Sequence, residues 1–190
     1  MHPVLKYGAA FGACAALAAA IAFADSAAKT APDKYAVKVP GGIGLAECKG
    51  YDKWEVISLS HNGNKLALIT GNPAMIGAYK AGLPGNGKPW PDGAKMAKIH
   101  WNTKTNTMAP GPPLVPETLH DVDCMVKDSK RFADSGGWGW GAFEFDNASG
   151  TFRPADMTAT PPQGNDAKCG FACHTIVKNR DYVFTDYAPR

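Results

Sequence analysis

The chain lacks a dominant charge. Twenty Lys and Arg stand against 17 Asp and Glu among 190 residues, and the small excess is scattered singly. No basic cluster or stripe offers a track for phosphates, which removes the usual reason to expect a nucleic-acid partner. An internal repeat is absent, and so is the strand–helix–strand alternation that builds a parallel sheet. Long apolar runs are missing after residue 24, so stable membrane insertion of the remainder is not expected. Cysteine is sparse, with five in the whole chain.

What is present begins with an export signal. Lys6 gives a short basic start, Tyr7 to Ala22 is almost wholly Gly, Ala, Leu, Ile and Phe, and Ala22-Phe23-Ala24 is a small-x-small cleavage pattern. This predicts cleavage near Ala24 and an extracytoplasmic mature protein. A retained anchor is the alternative, but the run is slightly shorter than the about 20 residues a span needs. A lipoprotein through Cys14 is a further alternative, and the residues before Cys14 lack the usual Leu. Removal of the signal takes only Lys6 from the charge balance. Roughly 166 residues remain, enough for one domain with a real core.

Residues 25–50 are predicted to be a flexible leader and loop, Ala-, Lys- and Pro-rich at first and Gly-rich afterwards, and residues 51–190 the functional domain. Val56 to Leu59 and Leu66 to Thr70 are β-prone and flank Asn62-Gly63, a strong hairpin signal. Asn72-Pro73 opens a helix that should stop near Gly82. Leu83 to Gly93 must be loop. In the next strand, period-2 geometry puts Lys95, Ala97, Ile99 and Trp101 on one face and Met96, Lys98 and His100 on the other. Thr103 to Pro116 reads as a turn-rich loop. Val122, Cys124 and Val126 then alternate with Asp123 and Met125. Asp128 to Ala133 suggests a helical turn, and Trp138 to Phe145 a strand whose two glycines need something packed on their bare face. Phe152 to Lys168 reads as a connection. The sum is an α+β domain, mainly antiparallel sheet with short helices and a C-terminal cofactor-binding segment.

After cleavage Cys48, Cys124, Cys169 and Cys173 remain. In an oxidising compartment they should be used in disulfides or by a cofactor. The stretch Cys169-Gly-Phe-Ala-Cys173-His174 matches covalent haem attachment, with two thioethers and an axial His174. The usual signal has two residues between the cysteines and this chain has three, an addition that a local bulge or turn would absorb. A Cys169–Cys173 disulfide, or zinc with Cys48 and Cys124 as further ligands, are the alternatives. Met75, Met96, Met108, Met125, Met157, His61, His100 and His120 are all compositional candidates for a sixth iron ligand.

Distant segments add a resemblance. Tyr51-Asp-Lys-Trp54, Gly71-Asn72-Pro73, Pro91-Asp92-Gly93 followed by Lys98, Met125 to Ala133, Gly137-Trp138, and Asp181-Tyr182-Val183-Phe184-Thr185 together resemble the cytochrome P-460 family. The resemblance implies a periplasmic, mostly β, homodimeric mono-haem protein carrying haem c. The family includes hydroxylamine oxidisers and is related to the β-type cytochromes c-prime, which bind nitric oxide and other small gases. It implies that Lys98 matches a lysine cross-linked to the haem, and that Asp123 matches a carboxylate above the iron, a Glu in other members. Trp138, Trp140 and Phe132 are then candidate walls of the haem, and Arg131, Arg180 and Arg190 candidate propionate partners; core packing or surface pairing is the alternative for each. The leading expectation is hydroxylamine oxidation, with Asp123 and Lys98 as catalytic residues and electrons leaving to a soluble acceptor cytochrome. Gas binding and simple electron transfer are the alternatives.

Overall fold

The computed structural model describes residues 33–39, 42–155 and 167–190; the expected signal peptide and Met157 lie outside them. Six antiparallel strands form one sheet in the order of the chain: β1 (Glu55–Asn62), β2 (Lys65–Gly71), β3 (Lys95–Thr105), β4 (Leu114–Lys127), β5 (Trp138–Asp146) and β6 (Thr151–Pro154). Two helices join them, α1 (Pro73–Lys80) and α2 (Ala167–His174). The antiparallel α+β architecture is the one expected.

Local chemistry explains the connections. Gly63 (φ 59°) supplies the left-handed conformation the tight β1–β2 turn requires. The Asn72 carboxamide caps α1 by accepting from the Met75 N–H at 3.0 Å. It also accepts from Lys95 N–H at 3.0 Å and donates to the Gly93 carbonyl at 2.8 Å, so one side chain ties the helix start to the start of β3.

The sheet has a core on each side. On one, Met96, Met125, Trp138 and Trp140 meet Met75, Ile76 and Tyr79 of α1 together with Trp90 and Val183. On the other, Ala97, Ile99, Val122, Cys124, Val126 and Phe143 meet Val39, Ile43, Leu45, Cys48 and Tyr51. The alternation read from β3 and β4 therefore holds, and both faces are covered. Each fully buried aliphatic side chain contributes about 1.5–3 kcal/mol.

Three expectations are corrected. Residues 33–39 and 42–50 are not a free leader and loop: they make 3-10 turns, and Val39, Ile43, Leu45 and Cys48 are fully buried under the sheet. The supposed loop from Thr103 to Pro116 is shorter, because β3 runs to Thr105 and β4 begins at Leu114, where mutual pairing overrides a polar composition. Thr151–Pro154, read as connection, pairs with β5 as an edge strand.

Candidate functional site

A cavity of about 340 Å³ lies between the β3–β5 face and the C-terminal segment, within the usual size range of ligand pockets. β3 and β4 bring Lys98 and Asp123 to its wall as directly opposed residues of their ladder. Met96, Met125 and Trp140 line the same face, while α2 supplies Gly170, Cys173 and His174, and the residues beyond it supply Val183 and Phe184. Residues more than 70 positions apart thus share one space.

His174 ends α2. Its Nδ1 is 2.7 Å from the Tyr182 carbonyl, which can only accept, so Nδ1 carries the proton and Nε2 keeps its lone pair. Burial lowers the imidazole pKa, partly offset by that carbonyl, and the ring is neutral at neutral pH. It stands 5.5 Å from the Trp140 ring and 4.9 Å from Phe184. Positions 169 and 173 are one turn apart on a continuous helix, so the three-residue spacing needs no bulge: i and i+4 share a helix face. Cys173 is an exposed free thiol.

Asp123 sits beside a polar chain on the same sheet face. His100 Nδ1 is 3.8 Å from Asp123 and hydrogen-bonds Asp121 closely; Asp121 also bonds His120 Nδ1 at 2.5 Å, and Lys65 Nζ is 2.9 Å from His120 Nε2. Desolvation at the cavity wall, then the negative Asp121, push the Asp123 carboxyl up to about 7, against the opposing pull of His100, Lys98 and Lys65, although 40% of its side chain remains exposed. Burial alone would raise Asp121 too, but the hydrogen bonds of His100 and His120 outweigh it and leave Asp121 low. The two neighbouring carboxyls are therefore pushed in opposite directions, Asp123 up and Asp121 down. His100, Asp121 and Asp123 bring three potential ligand atoms within 4.8 Å of one another, a spacing compatible with a small cation. The Lys98 side chain, partly buried, makes no hydrogen bond or ion pair among the described residues.

A search of the curated proteins finds no match. The family model described as Cytochrome P460 matches residues 48–185, most of the chain. The chain belongs to the cytochrome P460 family. The family implies a c-type haem, and the cavity suits one. The Trp140 indole N–H is a buried donor with no partner among the described residues, on the wall where an acceptor such as a propionate would satisfy it. Cys173 and His174 would hold it, the one through a thioether and the other through its imidazole; the Cys169 side chain lies outside the described atoms. The helix that carries them lies close against the sheet because residue 170 is glycine: a Cβ there would be 2.2 Å from Trp140 Cγ.

Of the residues predicted for the cytochrome P460 site, Lys98, Asp123, Trp140, Cys173 and His174 share the cavity, whereas Trp138 and Phe132 do not line it. Trp138 is fully buried beside it and donates from Nε1 to the Asp181 carbonyl at 2.9 Å. Phe132 packs on the opposite side of the sheet, over the bare face of Gly139, because that glycine leaves room for an aromatic ring. Arg131, Arg180 and Arg190 are engaged by Glu47, Asp186 and Glu55. Among the sixth-ligand candidates, Met96 and Met125 reach the cavity; Met75 is buried on the core face of α1, Met108 is exposed, and His61 lies on β1. Sequence reasoning missed the His100–Asp121–His120 chain, although the period-2 pattern already put His100 on the Lys98 face. It also missed Lys127 and Asp181, which no local signal connects.

Proposed function

We propose that this protein is a periplasmic mono-haem enzyme that oxidises hydroxylamine. The observation that carries this reading is the convergence of Lys98, Asp123, Cys173 and His174 on one cavity. Haem iron, when bound, supplies the electron-accepting centre. The rest is work for the chain. Cys169 and Cys173 hold the porphyrin edge, and His174 offers a neutral Nε2 to the metal. Asp123, raised to about 7, takes a proton from the substrate near neutral pH and returns it to solvent. Lys98, whose side chain makes no hydrogen bond or ion pair among the described residues, is the proposed third covalent attachment. Met96, Met125, Val183 and Phe184 keep the cavity poor in water. Electrons leave to a soluble acceptor cytochrome, and the working form is a homodimer.

Peptide mass spectrometry of protein exported by a host able to mature c-type haem tests the assignment. Haem mass on the Cys169–Cys173 peptide, linked also to the Lys98 peptide, is the expected result, together with hydroxylamine turnover that falls in Asp123→Ala and is retained in Asp123→Glu. Absence of haem, or equal turnover in all three proteins, would remove the reading. The thioethers of Met96 and Met125 on the cavity wall support electron transfer with a sulfur sixth ligand as a second reading; failure of the reduced protein to bind carbon monoxide would favour it.

A further inference from the structure

Beyond His174 the chain takes a conformation that needs holding. Asp181 and Tyr182 have φ of 48° and 67°, left-handed values that Asp tolerates and Tyr rarely adopts. The fold braces this turn from three directions. Lys127, at the end of β4, places Nζ 2.9 and 2.8 Å from the two Asp181 carboxylate oxygens and 3.0 Å from the Gly136 carbonyl. The backbone N–H of Trp90 donates to the same carboxylate at 2.7 Å, and the Trp90 indole donates to the Arg180 carbonyl at 3.2 Å. The Trp138 indole donates to the Asp181 carbonyl at 2.9 Å. The Tyr182 ring then lies over Gly136, where a Cβ would be 2.2 Å from Tyr182 Cε2.

The ion pair is nearly sealed: the Lys127 side chain is 6% exposed and that of Asp181 17%. Removing one member leaves the other charge largely buried without its countercharge. The consequence falls on the residue between the braces, because the Tyr182 carbonyl is the acceptor of the His174 Nδ1 proton. If the turn relaxed to right-handed values, that carbonyl would rotate away and the imidazole would lose its acceptor. A hydrogen bond of this kind fixes ring orientation and raises ligand basicity.

We propose that the Lys127–Asp181 ion pair is a positioning device for the iron ligand: it locks the turn that presents the Tyr182 carbonyl to His174, and so sets how strongly Nε2 donates. The functional consequence rests on His174 as the haem ligand; the clamp itself does not.

The test compares the full-length exported protein with Asp181→Gly, Asp181→Asn and the double variant Lys127→Met/Asp181→Asn, which removes both charges and avoids an orphaned one. Two quantities are read: solvent exchange of the His174 Nδ1 proton by NMR, and the midpoint reduction potential. Asp181→Gly and the double variant should exchange that proton faster and show a more positive potential, because a less basic imidazole stabilises the oxidised iron less. Asp181→Asn, which suits a left-handed turn and still accepts from Trp90 and Lys127, should fall between them and wild type. Wild-type exchange and potential in both altered proteins would overturn the proposal. So would a shifted potential with unchanged exchange, which would reveal a charge acting at a distance. Wild-type protein without haem would remove the haem reading, while the exchange of the Nδ1 proton would still decide on the clamp.

Discussion

Gly170 lies directly against the indole of Trp140, so close that a methyl group in place of its hydrogen would be 2.2 Å from Trp140 Cγ. The obstruction is a buried ring fixed in a strand, not the free end of a flexible chain. Helix α2 can approach the sheet only with no side chain at this position.

Gly170→Ala is therefore expected to push α2 off the sheet, destabilising the protein by about 1–3 kcal/mol and lowering the yield of attached haem. Thermal unfolding and haem content measure the two effects. Combining it with Trp140→Val should recover part of the loss, a non-additivity that double-mutant analysis would detect; strict additivity would place the two residues out of contact.

The titration of Asp123 predicts two opposite pH trends. Hydroxylamine turnover should rise through about pH 7 as the carboxylate forms, and Asp123→Asn should flatten and lower that profile. Stability moves the other way. The folded pKa lies above the unfolded value near 3.8, so the folded state keeps a proton the unfolded chain has lost, and the advantage disappears as pH rises through about 7. Asp123→Asn should melt near the wild-type temperature at pH 4 and above it at pH 8.

Lys98→Met should leave haem on the Cys169–Cys173 peptide and abolish any mass link to the residue-98 peptide. The absorption spectrum should shift at the same time, since a third bond distorts the macrocycle. An unchanged spectrum would show that Lys98 only lines the cavity.

Asn72→Ala removes the α1 cap and two bonds to the start of β3. The loss should approach about 2–3 kcal/mol, more than the roughly 1 kcal/mol of an ordinary cap. Denaturant unfolding would measure it, and a loss below about 0.5 kcal/mol would count against the three-way role.

The sequence was most legible where one residue type has one physical use. Asn62-Gly63 marked the first turn, Asn72-Pro73 the helix, and strict alternation separated Lys98 from Ile99 and Asp123 from Cys124. The N-terminal core escaped because Val39, Ile43 and Leu45 are single apolar residues among glycines, with no period to betray a buried face. Phe132 was placed on the wrong side because its partner, the bare face of Gly139, is visible only once β5 is paired. Lys127 and Asp181 are 54 positions apart; nothing in either neighbourhood points to the other.

The strictly sequential order of the six strands has a consequence for biogenesis. Each strand finds its partner in the hairpin just made, so the sheet can grow as the chain is delivered, without waiting for distant segments. Cys173 and His174 arrive last, against a finished wall. With a porphyrin attached there as proposed, attachment can precede the docking of α2 instead of competing with it.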